Sequence, residues 1–476
     1  MKDLKASNTP GFSRYLIAPA MVGLISVSLL AGYAGGNRQK QGIQIASTEP
    51  VVQFDVSDAT TSHLDKDNTT AVGDATDPVE NYKTALALLT KNRYGDAIDS
   101  KKSRQLTYEA IRGMVGSLRD MFSSFLDPDE WNQMLATTHG DFEGIGAYLY
   151  QDPKNKDIKV TEPIETGPAE KAGIKPDDVI TRVDGKSVIG QDINDVIKLI
   201  KGKGGTHVRI GIVRGKAPME FDITRARVEP PIVKYWMEDN QNKIGHILLK
   251  EFNEKSVEQM NHAFEDLEKQ GMKALVFDLR YNPGGLLETA IDVASILIPA
   301  DKTQELHNVA VWIKEGSGRE NGRQLRPVDT AYTNHVPMVV LVNDNSASAS
   351  EIVTGAVKDY GAGTIIGGRT YGKGRVQTLI PMEDGSALRL TTSLYFPPKH
   401  VDLNFKHDED GNRIPKTGGI LPDIDVTQSE KWKLEDFKDK AHDTQLNVAL
   451  DFLRARLKGS TIAQATAVVK PKQTKQ

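Results

Sequence analysis

Ala274-Leu275-Val276-Phe277-Asp278-Leu279-Arg280-Tyr281-Asn282-Pro283-Gly284-Gly285 sets the reading of the whole chain. It runs from an apolar strand, Ala274–Leu279, through a loop with paired glycines into a helix near Leu286–Ile298. The same strand-then-helix order recurs on both sides. Before it come a strand at Ile244–Leu249 and a helix near Val257–Gln270; after it come Met338–Val342, a helix after Ser350, and a strand at Thr364–Gly367. This alternation over residues 228–425 predicts an α/β core, a sheet flanked by helices.

Upstream the texture differs. Between residues 141 and 227, short β-like runs (Ile158–Val160, Val179–Val183, Val208–Val213, Phe221–Thr224) surround one helix, marked by Ile193, Val196, Ile197 and Ile200 and ended by Gly202. Residues 77–140 read as a helical unit. Asp77-Pro78-Val79-Glu80 supplies an N-cap, a first-turn proline and an acidic residue three after the cap, and Asp127-Pro128-Asp129-Glu130 repeats the pattern. Val79, Tyr82, Leu86 and Leu89 follow the first cap at helical spacing. Residues 35–76, rich in Thr, Ser, Asp and Gln, read as a disordered linker. Ahead of them Lys2, Lys5 and Arg14 precede an uncharged run from Tyr15 to Ala34. That is the layout of a secretory signal, and it is also long enough to cross about 30 Å of hydrocarbon as a helix. Residues 1–34 are therefore a signal peptide or a membrane anchor, and the rest is expected to be exported, periplasmic in either case. Residues 426–458 read as a charged helical C-terminal region and 459–476 as a disordered tail. The expected fold class is thus α/β (α+β) and multidomain.

Composition narrows the chemistry. The 476 residues carry 60 Lys+Arg against 64 Asp+Glu, a formal net charge of −4, which speaks against a dedicated nucleic-acid binder. The absence of cysteine excludes disulfides, thiol nucleophiles, thiolate zinc sites and iron–sulfur clusters. There is no His-Glu-x-x-His and no Gly-x-Ser-x-Gly, and the 10 histidines sit in no motif. His246 reads as packed within its strand. No metal or cofactor is expected. A serine enzyme built from this chain needs a base other than histidine, and Ser-Lys pairs are a known variant.

Three loops, each after a strand, could carry chemistry. The paired glycines of Asp278–Gly285 leave backbone N–H groups approachable by an anion or oxyanion, and a plain tight turn reads equally well. Asn343-Asp344-Asn345-Ser346-Ala347-Ser348-Ala349-Ser350-Glu351 places small hydroxyls beside unpaired amides at a helix start, the setting of a nucleophile or simply of a capped helix. Gly367-Gly368-Arg369-Thr370-Tyr371-Gly372-Lys373-Gly374-Arg375-Val376-Gln377 nearly spells a phosphate-binding loop. Gly374, however, stands where a magnesium-holding hydroxyl is required, which weighs against a nucleotide enzyme. A lysine between glycines is either a side chain allowed close approach or a solvated charge.

Taken together, these three segments resemble the carboxyl-terminal processing protease family of serine peptidases over roughly residues 77–430. The nucleophile–lysine separation of that family (373 − 348 = 25) selects Ser348 over Ser346 and Ser350. The resemblance implies Ser348 as nucleophile, Lys373 as general base, Gln377 as the residue orienting the lysine, and an oxyanion hole from the amides of Gly285 and Ala349. Lysine ordinarily titrates near 10.4, so the site must bury Lys373 away from carboxylates. The resemblance also assigns residues 141–227 to a PDZ domain, with Gly144, Ile145 and Gly146 in the loop that grips a peptide C-terminus. It implies protein or peptide substrates with a free C-terminus, gating by the PDZ domain, homo-oligomers and an adaptor lipoprotein or helical-repeat partner. Two departures from the family put local geometry in question: Arg119-Asp120 in place of Asp-Pro, and Pro397-Pro398-Lys399-His400 in place of Thr-Pro-Ser-Gly. The competing readings are an inactive PDZ scaffold and a phosphate-loop nucleotide enzyme.

Overall fold

The computed structural model describes residues 77–93, 95, 97–326, 336–408, 413–430, 432 and 440–469. The signal-or-anchor segment, the linker at 35–76 and residues 470–476 of the expected tail lie outside them. Helix α1 (Pro78–Asn92) begins as the sequence predicts, with Asp77 Oδ1 accepting from the Val79 amide at 2.9 Å and proline in the first turn. It buries none of its residues, and Val79, Leu88 and Leu89 stay exposed. Helix α2 (Ser100–Gly116) follows. Up to Met114 the described residues form one compact unit, and from Val115 onward they form another. The helical stretch expected over 77–140 is therefore divided. Strand β1 (Ser124–Leu126) pairs antiparallel with a strand of the C-terminal half, and α3 (Pro128–His139) carries the full capping box of Asp127 and Glu130 and ends at left-handed Gly140.

Residues 142–228 form β2 (Phe142–Gly144), β3 (Ala147–Gln151), β4 (Ile158–Pro163), α4 (Pro168–Ala172), β5 (Val179–Val183), β6 (Lys186–Ser187), α5 (Ile193–Ile200), β7 (His207–Arg214), β8 (Ala217–Thr224) and β9 (Ala226–Val228). The main sheet runs β3-β4-β5-β7-β8, with β3 at its edge, and β2 pairs with β9. Ile158, Val160, Ile180, Val196, Ile210, Ile212 and Ile223 fill its core.

The larger core follows: β10 (Val233–Asp239), β11 (Ile244–Leu249), α6 (Ser256–Lys269), β12 (Ala274–Asp278), α7 (Leu287–Leu297), β13 (Val309–Glu315), β14 (Glu320–Gln324), β15 (Met338–Val342), α8 (Ala349–Asp359), β16 (Thr364–Gly367), β17 (Arg375–Pro381), β18 (Ala387–Phe396), β19 (Ile424–Asp425), α9 (Thr444–Leu457) and α10 (Ile462–Val469). One sheet runs β10-β11-β12-β15-β16-β19, parallel from β11 onward. Its central strands β11, β12 and β15 are buried at every residue, because helices cover both faces. Met260, Phe264 and Leu267 of α6, with α7 and α8, pack on one face. Leu446, Leu450, Phe452 and Leu453 of α9 pack on Ile244, Val276, Val339 and Leu341 of the other. A second, antiparallel sheet runs β1-β18-β13-β14 with β17 on β18.

One expectation is corrected here. The tail from 459 is not disordered at Ile462–Val469, which is helical and seats Ala465 and Val469 in the α9 cluster. The Lys/Gln/Thr composition concealed an apolar period over Ile462, Ala465 and Val469. Truncating Leu453, fully buried, to alanine should lower stability by about 2–5 kcal/mol. Leu89→Ala on exposed α1 should stay within about 0.5 kcal/mol. Denaturant melts of the two variants measure the contrast.

Candidate active site

Three parallel strands end at one edge of the sheet and each releases one of the loops singled out above: β12 into Asp278–Gly285, β15 into Asn343–Ser350, β16 into Gly367–Gln377. That carboxyl edge is where open parallel sheets place ligands. The loops are tied to one another. The Asn282 carbonyl accepts from the Ala347 amide at 3.0 Å and from Ser350 Oγ at 2.9 Å, and the Ser346 carbonyl accepts from the Tyr371 amide at 3.0 Å.

Ser348 stands at the N-cap of α8 in a backbone conformation rare for a residue with a side chain, φ +54° and ψ −113°. Such strain is kept only where the surroundings impose it. Here the imposing group is Glu351, fully buried, whose Oε2 accepts from the Ser348 amide at 3.0 Å and from the Lys373 amide at 2.8 Å. Its Oε1 accepts from the Gly372 amide at 2.7 Å and from Thr370 Oγ1 at 2.6 Å. Burial pushes the Glu351 carboxyl above its usual range, against the pull of these four donors. The loop that resembles a phosphate cradle thus wraps a carboxylate of its own chain.

Gly284 and Gly285 are held against the same spot. A Cβ on Gly284, at φ +103°, would lie 2.8 Å from the Ser348 Cβ and 2.9 Å from the Ala349 nitrogen. One on Gly285, at φ +147°, would strike the Phe252 carbonyl at 1.8 Å. The Gly284 amide is spent on Asn282 Oδ1 and the Ser348 amide on Glu351. Among the described residues no acceptor takes the amides of Gly285 and Ala349. Both are free to donate to an oxyanion beside Ser348.

Lys373 is 5% exposed, and its Nζ sits 4.9 Å from the centre of the Phe122 ring. Burial, reinforced by the Arg389 cation, brings its pKa down to about 7, against the opposing pull of Glu351 and Asp120. The expected burial of the lysine is present, but the expectation that it lies away from carboxylates is overturned. Carboxylates are near, but Glu351 spends its oxygens on amides and a hydroxyl, while Asp120 accepts from Ser123 Oγ and Arg375 Nη1. The Tyr395 hydroxyl donates to the Lys373 carbonyl and reaches Ser348. Gln377, 1% exposed on β17, donates from Nε2 to the Arg375 carbonyl and to Thr391 Oγ1, each at 3.3 Å.

The structure therefore gathers Ser348, Ala349, Lys373 and the Gly284–Gly285 turn. Gly144, Ile145 and Gly146 lie elsewhere: Gly144 ends β2, and Ile145 and Gly146 link it to the edge strand β3. There the Ile145 carbonyl accepts from Ala169 and the Gly146 carbonyl from Ile164. Sequence reasoning gave no role to Glu351, Phe122, Arg389 or Tyr395. Glu351 was visible only as an acid at a helix start, and the other three reach Lys373 through pairing of β1, β17 and β18. His246 is more than packed: fully buried, it bridges Glu238 at 3.2 Å and Asp278 at 3.3 Å. The two sequence departures are tied in by hydrogen bonds. Asp120 anchors Ser123, and the Pro398 carbonyl accepts from the Trp312 indole at 3.2 Å.

Residues 243–426 match Peptidase family S41 and residues 159–214 match a PDZ domain. A probable CtpA-like serine protease of Staphylococcus haemolyticus is 36% identical over 340 residues, covering 71% of this chain and 64% of the relative. One from Staphylococcus epidermidis is 35% identical over 346 residues, 72% of this chain and 65% of the relative. This chain thus spans somewhat less than two thirds of the length of these relatives. A solved photosystem II D1 C-terminal processing protease is 31% identical, covering 72% of this chain and 86% of the other, with a TM-score of 0.40. The chain belongs to peptidase family S41 and carries that family's PDZ domain.

The neutral fraction of an amine grows as pH rises through its pKa. Labelling of Ser348 by a fluorophosphonate should accordingly rise through a midpoint near pH 7 and level off above it. Arg389→Gln removes a cation that disfavours the ammonium, so the midpoint should move upward. A pH–rate series on the two proteins reads the shift.

Proposed function

We propose that the chain is an exported, cofactor-independent serine endopeptidase that processes or degrades proteins from or near their C-termini with a Ser348–Lys373 dyad. The observation that carries this reading is the double use of Glu351 Oε2, which binds the Ser348 and Lys373 amides at once and so sets nucleophile and base in one frame. Ser348 Oγ attacks the scissile carbonyl while Lys373 Nζ takes its proton. The tetrahedral oxyanion receives the Gly285 and Ala349 amides, Lys373 returns the proton to the departing amine, and water then hydrolyses the acyl-enzyme by the same route. Gln377 orients the lysine.

The PDZ domain, in this proposal, holds the substrate tail and gates the site. Its support is the edge position of β3 beside the Gly144–Ile145–Gly146 turn, since an extended peptide can add to a free sheet edge while loop amides hold its carboxylate. Homo-oligomers and an adaptor lipoprotein belong to the same proposal, and the exposed Val79, Leu88 and Leu89 of α1 offer apolar surface for them. Export rests on the charge and hydropathy of residues 1–34. An inert PDZ scaffold would have no use for a buried lysine titrating near neutrality beside a strained serine.

Ser348→Ala and Lys373→Ala should each bring proteolysis to background, with no further loss in the double variant, because nucleophile and base act as a unit. Gln377→Ala should be milder. N-terminomics of the exported proteome with wild type against Ser348→Ala identifies the substrates, and equal cleavage by both would overturn the dyad. For a matched peptide pair, amidating the C-terminus should lower kcat/KM about tenfold or more, since a charge-assisted contact is lost. Equal cleavage of acid and amide would remove tail recognition from the proposal and leave the dyad standing.

A further inference from the structure

Arg280, 4% exposed, lies between two carboxylates from distant parts of the chain. Its Nε donates to both oxygens of Asp278, at 3.0 and 3.1 Å, and its Nη2 donates to Asp278 Oδ2 at 2.7 Å and Asp443 Oδ2 at 2.8 Å. Its Nη1 donates to Asp443 Oδ1 at 2.8 Å, and the Trp432 ring lies 4.8 Å from the guanidinium. Asp278 ends β12 and also meets His246 Nε2. Asp443 is the N-cap of α9, its Oδ1 accepting from the Leu446 amide at 3.0 Å and from Gln428 Nε2 at 3.0 Å.

An apolar contact would fasten α9 to the sheet as firmly, because desolvation cancels much of what a buried ion pair gains. What a planar fork held from two sides adds is direction: it fixes the guanidinium plane, and through it the backbone of residue 280. That backbone opens the loop leading to Gly285. Asn282 holds the middle of this loop, its Oδ1 accepting from Gly284 and its carbonyl from Ala347. Phe252 holds the far end, donating to the Gly284 carbonyl and accepting from Leu286, each at 2.8 Å.

We infer that the Arg280–Asp443 pair is a positioning device, through which α9 sets where the Gly285 amide stands relative to Ser348. The inference rests on the peptidase reading above, with Gly285 as an oxyanion donor. A donor displaced by about 1 Å can cost on the order of 100-fold in rate.

The test uses the full chain with D443N, which keeps the shape and a capping oxygen but loses the charge, and R280K, which keeps the charge but loses the fork. Both should lower kcat by about 10- to 100-fold with KM within about threefold. Affinity for a peptide boronate, whose tetrahedral adduct on Ser348 needs the oxyanion donors, should fall in step with kcat. Binding of the uncleaved peptide in a Ser348→Ala background should not change. If D443N does not fold, D443E takes its place, keeping the charge and altering the reach. Unchanged kcat and boronate affinity in the variants would overturn the inference while active wild type keeps the peptidase reading. So would a parallel loss of substrate binding, which marks a merely structural role. A wild-type chain that neither cleaves peptide nor takes the boronate overturns the peptidase reading and this inference together.

Discussion

The Glu351 carboxylate is the interaction on which the site depends. It is fully buried, and its two oxygens take four hydrogen bonds from three places: the Ser348 amide, the amides of Gly372 and Lys373, and the Thr370 hydroxyl. A buried acid is costly unless its acceptors are filled, and filling them here forces two loops into contact. The left-handed backbone of Ser348 is tolerable because that contact and the adjacent Gly284 leave the residue no other place. Removing the carboxylate would strand several buried amides at once, so the charge and the loop geometry stand or fall together.

The electrostatics of Lys373 show how placement outweighs proximity. Glu351 and Asp120 both favour its charged form, yet burial and Arg389 prevail and bring it to about 7. Each of the carboxylates is occupied elsewhere, Asp120 with Ser123 and Arg375. The Arg119-Asp120 departure therefore does not disturb the wall around the lysine; Asp120 helps to build it, through the turn that leads to Phe122 and β1.

Much of the core was legible in the chain. Met338–Val342 and Thr364–Gly367 are strands at the boundaries their apolar runs imply, since short runs bounded by turn residues leave little choice. The three loops were legible because glycines, small hydroxyls and an isolated lysine each stand out locally. What escaped is what acts over long separations. Arg389 lies on β18, which pairs with β1 across more than 250 residues, and Phe122 just precedes β1, so no local pattern could unite them with Lys373. His246 interrupts an apolar run without announcing the two carboxylates it bridges. Helix α10 was hidden because its short run Ile462–Val469 is flanked by Gly459-Ser460-Thr461 and by the polar tail after it, and the composition of the whole segment outweighed its own.

The two faces of the parallel sheet are covered from very different distances along the chain. Helices α6, α7 and α8 are interleaved with the strands they cover, whereas Ile244, Val276 and Leu341 wait for α9 and α10, about 200 residues beyond β11. Contacts that span so much sequence close late and slowly, and apolar surface stays wet until they do. Half of the sandwich is thus a local product and half a long-range one. The half that closes late also carries Asp443, so the sheet edge that bears the three loops would reach its final shape only at the last stage of folding.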